Sequence, residues 1–252
     1  MNIFKIIKEL YTGKSNLIAQ LGIFSLIGIM IISANQVVSA FTGNTLYSVF
    51  AAPSEGEVII FALTGIMLFI YFSGYLFKFA HECFDSSETE LASISMDCFP
   101  IFLKTFPVMF IWSVYVGLAL LLGYFLFTIN RLEFFAYIIL ILILLPFVNM
   151  VFIIFAKDFS YSKQIFNPST IVKLMSKTFV PAALFLVQYL FAGFVFFIIS
   201  GIIFSFVSYV NSREQQILCI LFVLSLSSYI QMILNLVYYK GLAEILKKYY
   251  LK

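Results

Sequence analysis

The sequence predicts an all-α membrane protein with six transmembrane helices in three hairpins, each preceded by an amphipathic interfacial helix. Three features of the chain support this prediction. Hydrophobic residues make up 63% of the 252 positions and charged residues only 11%, whereas a soluble domain has roughly half and a quarter. Six apolar runs each reach the length of about 20 residues that crosses a bilayer as a helix. Segments with a helical apolar period precede the first, third and fifth runs.

The apolar runs are too long and too uniformly apolar for the short alternating strands of a membrane β-barrel. They therefore predict helical spans, and the fifth is long enough for tilt or for an end outside the bilayer. The predicted spans are Leu17–Ala40, Glu57–Ala80, Phe106–Thr128, Phe134–Ala156, Phe179–Val210 and Gln215–Tyr239. Together they predict a single transmembrane domain over residues 1–252.

The charges predict the orientation of the chain. With six spans both termini lie on one side, and all thirteen lysines fall on that side while Arg131 and Arg213 fall on the other. This positive-inside bias predicts a multi-pass protein of the cell (inner) membrane with both termini cytoplasmic. The mixed charged and apolar N-terminus lacks the apolar core of a signal peptide, so the first run is predicted to remain a span.

The external connections after the third and fifth spans are short. "NRLE" (130–133) and "NSRE" (211–214) predict tight turns. Short connections between helices make those helices antiparallel neighbours. Spans three and four, and spans five and six, are therefore predicted to form hairpins.

The first and third surface segments have a clear helical period. In the first, the apolar face comprises Ile3, Ile6, Ile7, Leu10 and Tyr11. In the third it comprises Ile171, Leu174, Met175 and Phe179, with Asn167 as the predicted cap and Pro168 at the first helical position. The middle segment aligns Leu91, Ile94, Cys98 and Phe102, and Pro100 is expected to end or bend that helix.

Two nearly matching stretches indicate an internal repeat. "FLKTFPVMF" (102–110) and "LMSKTFVPAALF" (174–185) each place Lys-Thr-Phe beside a proline before an apolar run. The chain is therefore predicted to contain three units, at about 1–83, 89–158 and 164–252. Lysines 14, 104 and 177 mark the same junction in each unit, where a lysine can reach the lipid phosphates.

Other residues near the ends of the spans follow the same plan. The prolines of the second and third junctions, Pro107 and Pro181, are predicted to lie early in a helix, where a missing N–H does little harm. The even spans end in aromatic residues followed by Lys78, Lys157 or Lys240, a pattern typical of an interfacial anchor. Trp112 and the many phenylalanines are predicted to form lipid-facing and packing surface.

The candidate binding residues are amides at membrane depth. Gln231 and Asn235 lie four residues apart and hence on one helix face, which Ser227 and Ser228 continue. One interpretation is that these groups only hydrogen-bond between helices. The other is a polar cavity toward the cytoplasmic leaflet, where Pro146 frees a backbone carbonyl. Its predicted binding residues are Asn149, Gln188, Gln231 and Asn235.

The sequence predicts no enzyme, no cofactor and no nucleic-acid partner. No Asp, Glu, Lys, Arg or His lies centrally in a predicted span, although proton relays and intramembrane proteases generally need such groups. His81 and Cys83 have no closed zinc-site spacing, and the three cysteines are predicted to be small apolar fillers. The acidic segment 82–97 is predicted to be solvated, or to meet a cytoplasmic protein partner.

One segment resembles a known family. The stretch "SGYLFKFAHECFDSSETELASISMDCFPIFLKTF" (73–106) is similar to the domain-of-unknown-function 4013 family of prokaryotic six-span proteins. There a Gly-Tyr late in a span, here Gly74 and Tyr75, leads into a basic turn, an acidic segment and an amphipathic helix. The chain lacks the family's Pro and Trp in the acidic segment, and Thr105 replaces a small Gly. The resemblance implies the six-span plan and supplies no catalytic residues.

The function predicted from these features is that of a non-enzymatic integral membrane protein. It would be an accessory subunit, or a component that handles lipids or other amphiphiles on the cytoplasmic leaflet, with membrane lipids as its partners. The alternative is a small transporter or channel with a polar path along spans four to six.

Overall fold

A computed structural model describes residues 3–11, 14–42, 54–85, 91–92, 94–127, 131–207, 209–210 and 212–251. These residues form helices and irregular segments, with no β-strand among them. The helices are α1 (Ile3–Tyr11), α2 (Lys14–Thr42), α3 (Glu55–Asp85), α4 (Cys98–Phe127), α5 (Arg131–Asp158), α6 (Lys163–Phe166), α7 (Ser169–Val207) and α8 (Arg213–Tyr249). The predicted all-α class is thus confirmed for the described part of the chain.

Five of these helices, α2, α3, α4, α7 and α8, are long and apolar enough to cross a membrane. Their most apolar windows have mean hydropathies between 2.0 and 2.6. The chain is accordingly an integral membrane protein. α5 is helical over 28 residues, and several side chains of its first half, including that of Arg131, lie outside the described residues.

The long helices form two groups. α3, α5 and α8 contact one another, and each of α2, α4 and α7 packs between two of them. α2 contacts α3 and α8, α4 contacts α3 and α5, and α7 contacts α5 and α8. Most fully buried residues of the inner helices lie in the halves that carry Lys78, Lys157 and Lys240, so the core is near that end of the bundle.

α1 is short, and its apolar residues are covered by protein. Ile3, Ile6 and Leu10 are at most 2% exposed, whereas Tyr11, predicted to share their face, is 51% exposed. α1 contacts α2, α7 and α8. Its place at the membrane interface stays a prediction.

The middle surface helix predicted from Leu91 onward is wrong in its extent. Residues 91–92 and 94–97 are irregular, and α4 begins only at Cys98. The backbone here is bonded to another helix instead of forming its own helical turn. The Leu91 N–H donates to Asn16 Oδ1 of α2 at 2.8 Å. Pro100 therefore lies in the first turn of α4, where it neither ends nor bends a helix.

The third surface segment is continuous with its span. Asn167 caps α7 as predicted, since its Oδ1 accepts the Ser169 N–H at 2.9 Å. α7 then runs unbroken for 39 residues. Pro107 and Pro181 therefore lie inside α4 and α7 rather than early in a helix, which corrects the expectation. The cause is that α4 begins at Cys98 and α7 at Ser169, so each helix starts in the predicted surface segment and continues into the span.

The two Lys-Thr-Phe stretches have the same exposure in the fold. Lys104 and Lys177 are exposed, and Thr105 and Thr178 are both 0% exposed. Each threonine donates to the carbonyl of the preceding turn, at 2.9 and 2.7 Å. The buried threonine hence fixes which side of each helix faces the protein. Lys14, the third predicted marker, has a side chain outside the described residues.

Two of the three lysines at the ends of the even spans are covered by protein. Lys157 is exposed, but Lys240 is only 4% exposed and the side chain of Lys78 only 12%. Lys78 Nζ donates to Ser95 Oγ at 2.7 Å and lies 3.9 Å from Asp97 Oδ2. The prediction of lipid anchors is thus wrong for Lys78 and Lys240, because segment 94–97 and neighbouring helices cover them.

The remaining packing residues mostly behave as expected. Cys83 and Cys98 are buried, Cys219 is half-buried, and all three are free thiols. Trp112 is 2% exposed, so it belongs to the packing surface and not to the lipid-facing surface. Its Nε1–H donates to the Ile165 carbonyl at 2.8 Å and so ties α4 to α6.

Candidate functional site

Two cavities lie among the long helices. The first has a volume of about 470 Å³ and is bounded by α2, α3, α7 and α8. Most of its lining is apolar. Its polar lining residues are Ser73, Ser227, Ser228, Gln231 and Asn235. The face of α8 predicted from the four-residue spacing thus borders this cavity.

The second cavity has a volume of about 430 Å³ and is bounded by α3, α5, α7 and α8. Leucines from α3, α5 and α7 form its apolar wall. Its polar lining residues are Asn149, Tyr189, Asn235, Tyr238 and Tyr239. Leu76 and Asn235 line both cavities, so these two side chains lie between the two spaces.

A small hydrogen-bond network surrounds Asn235. The Tyr189 hydroxyl donates to Asn235 Oδ1 at 3.1 Å. Gln231 Nε2 lies 3.5 Å from both the Tyr189 hydroxyl and Asn235 Oδ1. Among the described residues, Asn235 Nδ2 has no acceptor, so this N–H group remains available as a donor at the junction of the two cavities.

The second cavity has a rigid aromatic side. The rings of Tyr189 and Tyr238 lie 4.7 Å apart, and Phe185 stacks on Tyr238 at 6.1 Å. The Tyr238 hydroxyl interacts with the Asn149 amide. Pro146, predicted to free a carbonyl near Asn149, lies inside α5 and lines this cavity. The carbonyl it frees is that of Leu142, which also lines the cavity.

Three of the four predicted binding residues come together, and one lies apart. Asn149, Gln231 and Asn235 line these cavities, and Asn235 joins them. Gln188 lines neither one, because its Oε1 is 3.4 Å from the backbone N–H of Ile3, which places it against α1. The position of Gln188 within a predicted span indicated that its side chain makes a polar contact, but the sequence did not identify Ile3 as the partner.

The lining chemistry is neutral. Apart from tyrosine hydroxyls, the described residues that line the two cavities carry no titratable group. In the described part of the chain, no group of three His, Cys, Asp or Glu residues is placed to hold a metal ion. His81 instead lies with Nδ1 3.0 Å from the Ala156 carbonyl. The site offers hydrogen-bond donors and acceptors beside apolar walls, which suits binding of an amphiphile.

The acidic segment 82–97 is only partly described. Residues 86–90 and 93 lie outside the described residues. At its start, Lys247 Nζ donates to the Cys83 carbonyl. At its end, the Tyr75 hydroxyl donates to the Ala92 carbonyl at 2.8 Å. Both described ends are thus bonded to neighbouring helices.

The sequence analysis did not predict several of the lining residues, among them Leu76, Tyr189, Tyr238 and Tyr239. In the sequence, Tyr238 and Tyr239 come directly before Lys240, a pattern typical of aromatic residues at the membrane interface. One feature of the sequence did point to Tyr189. Gln188 and Tyr189 are adjacent in α7, so their side chains point in different directions, and each can bond a different neighbouring helix.

Comparisons with protein-family models, with curated proteins and with solved structures each give no match for this chain. The resemblance of residues 73–106 to the domain-of-unknown-function 4013 family therefore stays a prediction.

Proposed function

We propose that this protein is a non-enzymatic membrane component that binds an uncharged amphiphile between α3, α5, α7 and α8. A single observation carries the proposal: Asn235 lines both apolar cavities, and its amide, with the Tyr189 hydroxyl that donates to it, places polar groups between them. Apolar walls suit hydrocarbon, and a few placed polar groups fix the orientation of a ligand.

Several features support access from the membrane. Phe69 of the first cavity is 62% exposed, and Leu142 and Leu190 of the second are 54% and 59% exposed. In a membrane-embedded chain such side chains face hydrocarbon. A ligand can therefore enter sideways from the bilayer, without crossing water.

The chemistry of the lining argues against a reaction at this site. General acid–base catalysis and proton coupling use carboxylates, imidazoles or amines, which are kept inside membranes for function. Among the described residues, the cavity linings contain none of these groups. Binding without chemical change is the activity that the residues favour.

The proposal includes the finer architecture. α5 would be the sixth span, and α2–α3, α4–α5 and α7–α8 would be three hairpins of one repeated unit. The cyclic packing of α2, α4 and α7 around α3, α5 and α8 supports such a repeat. With the lysines on the cytoplasmic side, both termini would be cytoplasmic in the cell membrane, and the acidic segment 82–97 would be open to a cytoplasmic protein partner.

The first test removes the polar junction. Purified protein is expected to retain an uncharged amphiphile that mass spectrometry of an organic extract detects. The double change Gln231→Ala and Asn235→Ala should lower the retained amount about tenfold, since each lost hydrogen bond contributes about 0.5–1.5 kcal/mol.

Gln188→Ala provides the matched control, because it also removes an amide at membrane depth but outside both cavities. It should leave the retained amphiphile unchanged. If the double variant folded less well and still kept all of its amphiphile, the amides would serve only to hold helices together and the proposal would fail.

A second candidate function is transport along α5, α7 and α8. The observation that favours it is that only Leu76 and Asn235 among the described lining residues are common to both cavities, so movement of these two side chains would open a route between the cavities. Proteoliposomes would then show flux of a small neutral solute that falls on Gln231→Ala. We expect no such flux, and flux that depends on Gln231 would replace the binding proposal by transport.

A further inference from the structure

The two cavities are similar in size. Their volumes, about 470 and 430 Å³, are nearly equal. Each volume falls within the range of about 300–1,000 Å³ that holds a small-molecule ligand. A ligand with one chain would fill one of them and leave the other empty. A ligand with two chains would fill both.

The junction between the cavities is polar on one side and apolar on the other. Asn235 supplies an amide there, with Gln231 and Tyr189 within 3.5 Å of it or less. Leu76 supplies the apolar side. A molecule lying across this junction would place its chains on either side and its polar linkage against Asn235.

The same linings select against a charged headgroup. Phosphate groups on lipids are usually bound by Lys or Arg, and neither is among the described residues that line these cavities. Lys240 follows Asn235 by five residues on α8 but is buried elsewhere, beside Cys83. The polar groups present are amides and hydroxyls, which pair with esters and alcohols.

We infer that the bound amphiphile is an uncharged lipid with two hydrocarbon chains, one in each cavity, whose ester or hydroxyl linkage hydrogen-bonds Asn235. This inference rests on the proposed function, because it names the ligand class of the same site. Diacylglycerols have this chemistry. The Asn235 Nδ2 group, which has no acceptor among the described residues, would donate to an ester carbonyl.

The experiment compares two photoreactive probes in phosphatidylcholine nanodiscs that contain the full chain. One probe is dioleoylglycerol and the other is monooleoylglycerol, each with a diazirine in an oleoyl chain. Labelled protein is quantified by mass spectrometry. The wild-type chain is expected to be labelled more strongly by the two-chain probe.

Two variants each place a larger side chain in one cavity. Ser73→Phe enlarges the side chain that lines the first cavity, and Leu186→Trp enlarges the side chain that lines the second. Each should lower labelling by the two-chain probe about tenfold, the change expected when about two methylene groups lose their burial. The single-chain probe should still label each variant through the cavity left open, which also shows that the variant is folded.

Adduct mapping on the wild-type chain gives an independent readout. A diazirine near the end of either chain should label α2 around Ile27 and Met30, and α5 around Leu142 and Leu145. Adducts on only one of these helices would overturn the two-chain inference. So would unchanged two-chain labelling in either of the two variants with the larger side chain.

The outcomes separate the inference from the proposed function. Equal or stronger labelling by the single-chain probe would reject two chains and leave amphiphile binding intact. Stronger labelling by a phosphatidic acid probe of the same chain length would reject the uncharged headgroup. No labelling of the wild-type chain by any of the three probes would reject the proposed function itself.

Discussion

Gly74→Ala is expected to destabilise the protein by about 3 kcal/mol or more, the upper range for inserting a group into a packed site. A Cβ at Gly74 would overlap the Cys98 carbonyl oxygen and lie 2.7 Å from its carbonyl carbon. Both atoms belong to backbone, which cannot rotate away as a side chain can. The midpoint of thermal unfolding in detergent should fall steeply.

The segment that Gly74 contacts is held in place from three sides. Tyr75 bonds the Ala92 carbonyl, Lys78 bonds Ser95, and Asn16 accepts the Leu91 N–H. A displaced Cys98 would strain these bonds together. The whole contact between α3 and the start of α4 is therefore expected to loosen.

Gly65→Ala is the matched control on the same helix. A Cβ there meets nothing within 4 Å, and alanine is favoured over glycine in a helix by up to about 1 kcal/mol. This variant should be as stable as the wild type or slightly more stable. Equal unfolding midpoints for both alanine variants would contradict the close approach at Gly74.

Trp112→Ala has the second large expected effect, a loss of about 3–5 kcal/mol, the range for truncating a buried tryptophan. Trp112 is 2% exposed, and its ring meets Tyr115 edge to face at 5.4 Å. The change would leave a cavity between α4 and α6. The free energy of unfolding in detergent and urea measures it.

Trp112→Phe separates packing from hydrogen bonding. It keeps much of the ring volume but leaves the Ile165 carbonyl without its donor, which costs about 1–3 kcal/mol. Leu118→Ala, at a site 59% exposed on the same helix, should change stability by about 0.5 kcal/mol or less. Similar losses for Trp112→Ala and Leu118→Ala would mean that Trp112 faces detergent.

These residues give the resembling segment a structural role. Gly74 allows close approach, Tyr75 caps a carbonyl and Lys78 bonds Ser95, all between α3 and residues 91–98. Thr105 of the same segment is fully buried. These contacts give segment 73–106 a packing role, and its residues Ser73 and Leu76 also line the cavities.

The candidate site was predictable in part. Spacing alone placed Ser227, Ser228, Gln231 and Asn235 on one face of α8, and that face borders the first cavity. No pattern indicated that Tyr189 would bond Asn235 or that α1 would take Gln188. Those pairings depend on which helices are neighbours, and helix periodicity carries no information about a partner 46 or 185 residues away.

The sequence by itself determined that the chain is helical and embedded in a membrane. Long apolar runs with few charges allow no other solution, because every backbone polar group in hydrocarbon must be bonded within the chain. It also determined local features such as the Asn167 cap.

Only the tertiary structure decided which apolar faces meet. In a membrane the lipid-facing and protein-facing sides of a helix are equally apolar, so hydrophobicity does not distinguish them. Trp112 was therefore not separable from lipid-facing aromatics, nor Lys78 and Lys240 from snorkelling lysines. The two cavities exist because α3, α5, α7 and α8 leave space around Leu76 and Asn235, and that space depends on the packing of distant segments.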